Sequence, residues 1–176
     1  MSPKNTGSTA ETSNNWLPGN SQPNMRVGII SDTHGLLRPE AEQALRGVAL
    51  IVHAGDVGSP EILTRLQAIA PVFAVRGNVD TEPWTRKLPL TTVVDAGRAT
   101  LYVLHNLRDL DLRPEAAQFD FVISGHTHQP EQTERNGVIY LNPGSAGPRR
   151  FHLPVTLALV NLSEKPWQST LVRLVP

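Results

Sequence analysis

RVGIISDTHG, residues 26–35, sets a short β-branched run directly against Asp32, Thr33 and His34. A short apolar run without helical period reads as a strand buried on both faces. Asp32 and His34 then mark where that strand leaves the core. The pattern recurs. ALIVHAGD, residues 49–56, is a second buried strand ending in Gly55-Asp56, and VFAVRGN, residues 72–78, a third ending in Gly77-Asn78. Pro39 to Gly47 reads as a helix, opened by proline and closed by glycine, with Ala41, Ala44 and Leu45 toward a core. Ser59-Pro60-Glu61 starts another helix, with Ser59 as N-cap and Leu63, Leu66, Gln67 and Ala70 following at helical spacing. Strand, helix, strand, helix, strand predicts a parallel sheet with right-handed crossovers.

Downstream the rhythm changes. Leu90–Asp95 and Thr100–His105 read as strands joined by a hairpin at Ala96-Gly97-Arg98. A short helix from Pro114 to Gln118 leads into a strand at Phe119–Ser124. Strand-like runs follow at Val138–Asn142, Val155–Asn161 and Ser169–Leu174, the first preceded by the turn Arg135-Asn136-Gly137. One small sheet does not need so many strands. An α/β fold with two sheets packed face to face and helices outside accommodates them.

The 176 residues suit one domain, expected over residues 25–176. Residues 1–24 are rich in Ser, Asn, Thr, Gly and Pro and lack the apolar run of a secretory signal; they read as a disordered tail. A cytoplasmic location is the expectation, and no stretch is apolar for long enough to cross a bilayer. The absence of cysteine excludes disulfides, thiolate metal sites and cysteine catalysis. Any metal must rest on His, Asp, Glu or Asn. Lys plus Arg and Asp plus Glu are equal at 16 each, which argues against bulk binding to nucleic acid or anionic membrane.

Each chemically capable group sits where a strand runs out at its carboxyl end: Asp32 and His34, Asp56, Asn78, His105, then His126 and His128 in Gly125-His126-Thr127-His128. That edge is where α/β sheets bind ligands. Singly, each dipeptide is an ordinary turn signal and His105 an ordinary core histidine. Together, two Asp, four His and one Asn form an N/O set that suffices for two divalent ions sharing a carboxylate. Four of the six histidines fall at these strand ends. Paired ions can generate a hydroxide and clamp the oxygens of an in-line displacement at phosphorus.

SDTHG (31–35), HAGDV (53–57), RGNVD (76–80), His105, SGHTHQP (124–130) and LNPGS (141–145) resemble the motifs of the calcineurin-like metallophosphoesterase superfamily. More narrowly, the chain is similar to its small single-domain YfcE/VPS29-like group. The resemblance implies a four-layer α/β/β/α sandwich of two mixed β-sheets flanked by helices. It implies a phosphoesterase, foremost a phosphodiesterase, in which a hydroxide bridging two metals attacks phosphorus. Asp32, His34 and His128 would hold the first metal, Asn78, His105 and His126 the second, with Asp56 bridging. Manganese is the expected ion, with iron, zinc, magnesium or nickel as alternatives. Asp56, Asn78, His126 and Asp80 are expected to carry catalysis. Asp80 would serve as a proton donor or orient a neighbour, or else be a plain turn residue. Asn142 is expected beside the site, within reach of phosphate.

Two positions depart from the family pattern. Larger members carry a His after the motif Asn, where this chain has Val79; this weakens protonation of the leaving group. Close relatives have His-Gly-His where this chain reads His105-Asn106-Leu107, and loss of the second His removes a phosphate contact. Asn is among the side chains that best tolerate the left-handed conformation at such a glycine position. Arg76, His53, Arg149, Arg150 and His152 lie near these motifs, the two adjacent arginines as a lip for an anion or as solvated charges. Trp84 and Trp167 read as packing residues. The expected partner is a small phosphoester substrate, with no membrane and no strong nucleic-acid binding, and with homodimer or homotetramer assembly. The rival readings are a VPS29-like protein-binding scaffold with a degraded metal site, and a nuclease.

Overall fold

The computed structural model describes residues 25–176. The tail expected over residues 1–24 lies outside them. Among the described residues, ten strands form two mixed five-stranded sheets, with strand orders β10-β9-β1-β2-β3 and β4-β5-β6-β8-β7. The first sheet holds β1 (Arg26–Ile30), β2 (Leu50–His53), β3 (Val72–Ala74), β9 (Thr156–Asn161) and β10 (Gln168–Arg173). The second holds β4 (Thr91–Asp95), β5 (Thr100–Leu104), β6 (Phe121–Ile123), β7 (Glu131–Arg135) and β8 (Val138–Asn142). Strands β1, β2 and β3 run parallel, as do β5, β6 and β8.

The alternation of each strand explains the layers. Val27, Ile29, Val52 and Val160 of the first sheet meet Leu101, Val103, Phe121, Ile123 and Leu141 of the second in one dry core. The opposite faces of β1, β2 and β9 present Ile30, Ile51 and Leu157 to α1 (Pro39–Ala44) and α2 (Pro60–Gln67). Proline opens both helices, and the Ser59 side chain accepts from the Glu61 amide at the head of α2. Trp84 packs beside the helices and Trp167 against the inter-sheet core, as the sequence suggests.

The fourth layer is thin. Pro114–Gln118 forms turns rather than a helix, and a 3-10 helix at Leu107–Asp109 precedes it. Leu107, Leu110, Leu112 and Phe119 from this segment cover Tyr102, Leu104, Val122 and Val138 on the outer face of the second sheet. Strand β7 is an addition to the sequence reading. Its EQTER residues are mostly exposed on a sheet edge, so they carry no apolar alternation.

Register decides where the strands end. Ile30 is level with His53, and His53 with Ala74. In the other sheet Val103 is level with Ile123. The carboxyl ends of β1, β2, β3, β5 and β6 therefore form one rim across both sheets.

Candidate metal centre

The chain turns sharply as it leaves these strands. Among the described residues, eight non-glycine positions have positive φ, and five of them are rim residues: Asp32 (55°), His34 (45°), Asp56 (56°), His126 (69°) and His128 (60°). Side chains avoid this region unless the surroundings enforce it, and such strain clusters at functional sites. Backbone bonds supply the enforcement. The amides of Asp32, His34 and Gly35 donate to the carbonyls of Gly55, Asp56 and Val57 at 2.9–3.0 Å. Gly77 and Gly125 are among the glycines required by space. A Cβ on Gly77 would stand 2.1 Å from Asp56 Oδ1, and one on Gly125 2.7 Å from Asp32 Oδ2.

All seven predicted side chains converge, in two linked groups. Asp32, His34 and His128 form the first. Asp32 is fully buried, and its Oδ2 accepts from the His126 amide at 3.2 Å. Its Oδ1 has no hydrogen-bond partner among the described residues. His128 Nε2 lies 3.3 Å from that oxygen and His34 Nε2 3.9 Å. The two imidazole nitrogens are 3.3 Å apart.

Asn78, His105 and His126 form the second group. Asn78 Oδ1 is 3.0 Å from His105 Nε2 and 2.9 Å from His126 Nδ1. Asp56 stands between the groups, its Oδ2 3.2 Å from His105 Nε2 and 3.9 Å from His34 Nε2. Its other oxygen accepts from the Val79 amide at 3.0 Å. His105 Nδ1 contacts the Ala54 carbonyl at 2.7 Å, which places a proton on Nδ1 and leaves Nε2 facing Asp56 and Asn78.

The donor set fits divalent ions. Two carboxylates are buried within one cluster, and among the described residues neither has a lysine or arginine at ion-pair distance. Buried charge needs a cation or a metal. Burial lowers the His105 imidazole, yet the bonds to Asp56 and Ala54 outweigh it and leave its pKa raised. Asp56 shows the complement: burial pushes its carboxyl up, and the contacts with His105 and Val79 bring it below the usual value. His34 is lowered by burial, against the opposing pull of Asp56 and Asp32. Arg150, exposed beyond the rim, also disfavours the charged form of His34.

Three braces surround these groups. Asp80 is buried, and its carboxylate accepts from the amides of Gly77 (2.8 Å), Gly58 (3.0 Å) and Val57 (3.2 Å). Of the roles open to it, this geometry describes the orienting one. His53 is fully buried and uses both ring nitrogens, with Nε2 2.9 Å from Thr33 Oγ1 and Nδ1 accepting from the Gly55 amide. Since Thr33 Oγ1 donates to the Val57 carbonyl, it accepts from His53 Nε2. Burial lowers the His53 pKa to about 4, so the ring is neutral. Asn142 differs from expectation. Its amide donates to the Gly125 carbonyl (2.7 Å) and Thr127 Oγ1 (3.0 Å), and its oxygen accepts from the Gly144 amide. It secures the His126 loop and has no donor left for phosphate. Asn106 is extended, with φ −106°, and its side chain caps the Arg108 amide. No left-handed residue is needed there.

The sequence model of the calcineurin-like phosphoesterase superfamily domain matches residues 25–165. A probable metallophosphoesterase of Methanothermobacter thermautotrophicus is 39% identical over 150 residues, covering 77% of this chain and 85% of that protein. Phosphodiesterase YfcE of Escherichia coli is 30% identical over 153 residues, covering 69% and 79%. The solved structure of an archaeal phosphodiesterase superposes with a TM-score of 0.71 at 23% identity, covering 84% of this chain and all (100%) of that one. Zinc-bound Vps29 of Entamoeba histolytica superposes at 0.65 with 21% identity, covering 86% and 100%. The last two likenesses bear on the fold alone.

Proposed function

The chain belongs to the calcineurin-like phosphoesterase superfamily and is a metal-dependent phosphoester hydrolase, and we propose that its rim is a binuclear centre acting on phosphodiesters. Asp32, His34 and His128 would hold one ion and Asn78, His105 and His126 the other, with Asp56 shared between them. Manganese is the proposed ion, with iron, zinc, magnesium or nickel as substitutes. The observation that carries this reading is the Asp56 carboxylate, one oxygen of which faces His105 at 3.2 Å and His34 at 3.9 Å.

Ions bound there supply Lewis acidity and a water of lowered pKa. The protein's own groups do the rest. The Ala54 carbonyl fixes the His105 tautomer, and the Val79 amide fixes Asp56. Asn78 contributes a neutral oxygen, which limits negative charge beside an anionic substrate. His126 and Asn78 are exposed at the mouth, above buried Asp32, Asp56 and His105. Val79 is 48% exposed beside them and offers no side-chain proton. Rate is therefore expected to fall steeply as the leaving group becomes more basic.

Hydrolysis of bis(p-nitrophenyl) phosphate by protein titrated with Mn²⁺, alongside metal analysis, tests the proposal. Two ions per chain and loss of turnover in Asp56→Asn are expected. Full activity of that variant would sink the idea. A Vps29-type scaffold role gains nothing from a site in which all seven groups are present and converge. Location in the cytoplasm and a homodimer or homotetramer are proposed with it; fractionation and light scattering test them. The equal charge counts of 16 and 16 argue against strong nucleic-acid binding.

A further inference from the structure

The thin fourth layer leaves an opening. A groove of about 410 Å³ runs between the Leu107–Asp109 turn and the outer face of the β7–β8 hairpin. Gly125, His126 and Thr127 line one end, so the groove is continuous with the metal rim. Register fixes the order of side chains along it. Glu131 pairs with Asn142 nearest the rim, Thr133 with Tyr140 next, and Arg135 with Val138 farthest out. Residues two apart on a strand are roughly 7 Å apart. The Tyr140 ring is half-buried, and the Arg135 guanidinium lies 5.0 Å over its centroid. Arg108 stands on the opposite wall.

Leaving the rim, a ligand thus meets first a carboxylate and a hydroxyl, then a flat aromatic–guanidinium stack. The carboxylate suits sugar or alcohol hydroxyls, and the stack suits a planar ring. The spacing of one two-residue step matches a ring joined to phosphate through a short linker. An alkyl arm would leave Glu131, Thr133 and both arginines without use.

We infer that this groove is the subsite for one ester arm of the substrate, and that it selects a nucleoside-like arm: a planar ring joined to the phosphate through a hydroxyl-bearing linker. The inference rests on the rim being the hydrolytic centre.

Two p-nitrophenyl esters with the same leaving group test it, those of thymidine 5′-phosphate and of methyl phosphate. With the metal-loaded, full-length enzyme, the thymidine ester has a KM about tenfold lower, the size of one stacking contact. Thr133→Trp, which fills the groove from an exposed strand, and Tyr140→Leu each bring that ratio to about one. Equal KM values in the parent enzyme, or a ratio untouched by both variants, would overturn the assignment. Calorimetric binding of thymidine 5′-monophosphate reads the groove without turnover. Binding weakened about tenfold by both variants upholds it; no binding, or binding indifferent to both, removes it. Failure of the parent to hydrolyse either ester is a separate result, and it counts against the hydrolytic reading instead.

Discussion

Asp80 Oδ2 accepts a hydrogen bond from the Gly77 amide at 2.8 Å, closing the tight turn Gly77–Asp80 that carries Asn78 at the rim. The same carboxylate takes the amides of Val57 and Gly58, which come directly after Asp56. One buried side chain thus locks the exits of β2 and β3 together. Asp80→Ala leaves the buried amides of Val57 and Gly77 without partners, and the expected cost is roughly 3 kcal/mol. Thermal unfolding of the ion-free protein checks this. Metal affinity falls with stability; a proton-donor role would instead remove the alkaline limb of the pH–rate profile and spare stability.

Asp32 makes the opposite case. Its buried Oδ1 lacks a donor, and its carboxylate shares the cluster with Asp56. Asp32→Asn removes one of two buried like charges. The ion-free variant is expected to melt higher than the parent. The rise in melting temperature that saturating metal gives the parent is expected to vanish. Melting curves with and without Mn²⁺ separate the two effects, and a variant that melts lower without ions would contradict the repulsion.

His53 sets a pH dependence. Its pKa is about 4 when buried, against 6.5 in the unfolded chain. Between those values the unfolded chain binds the extra proton. Stability contributed by the neutral ring is full above pH 6.5 and is lost as pH falls toward 4, by up to about 3 kcal/mol. Denaturant melts across this range read the slope. His53→Gln is expected to flatten it; an unchanged slope would assign it to other groups.

Asn142 holds the Gly125–Thr127 turn through two donated bonds. Asn142→Ala is expected to reduce kcat/KM about 10- to 100-fold through misplacement of His126, with a matching loss of metal affinity. Asn142→Asp, which cannot donate, should behave alike. Loss confined to substrate affinity would place Asn142 on phosphate after all.

The rim was legible because its signal is local. Asp32, Asp56 and Asn78 each come after a β-branched run, and nothing beyond strand length and residue type is needed to place them at one edge. The braces were legible only as candidates, without their partners. Asp80 reads as proton donor, orienting group or turn residue until Val57 and Gly58, more than 20 positions earlier, come into contact with it. Strand β7 was missed because Glu131–Arg135 has no apolar face to bury. The helix expected at Pro114–Gln118 gave way to turns, where Phe119 stacks on Tyr102 and holds the segment down.

The left-handed backbone at Asp32, His34, Asp56, His126 and His128 carries a historical consequence. At each position glycine is more comfortable, by about 1 kcal/mol or more. Selection for stability alone would therefore erase these five side chains. A descendant lineage released from ion binding is expected to drift toward glycine and asparagine at these positions before its core changes. Such replacements in related sequences would record which branches stopped using the rim.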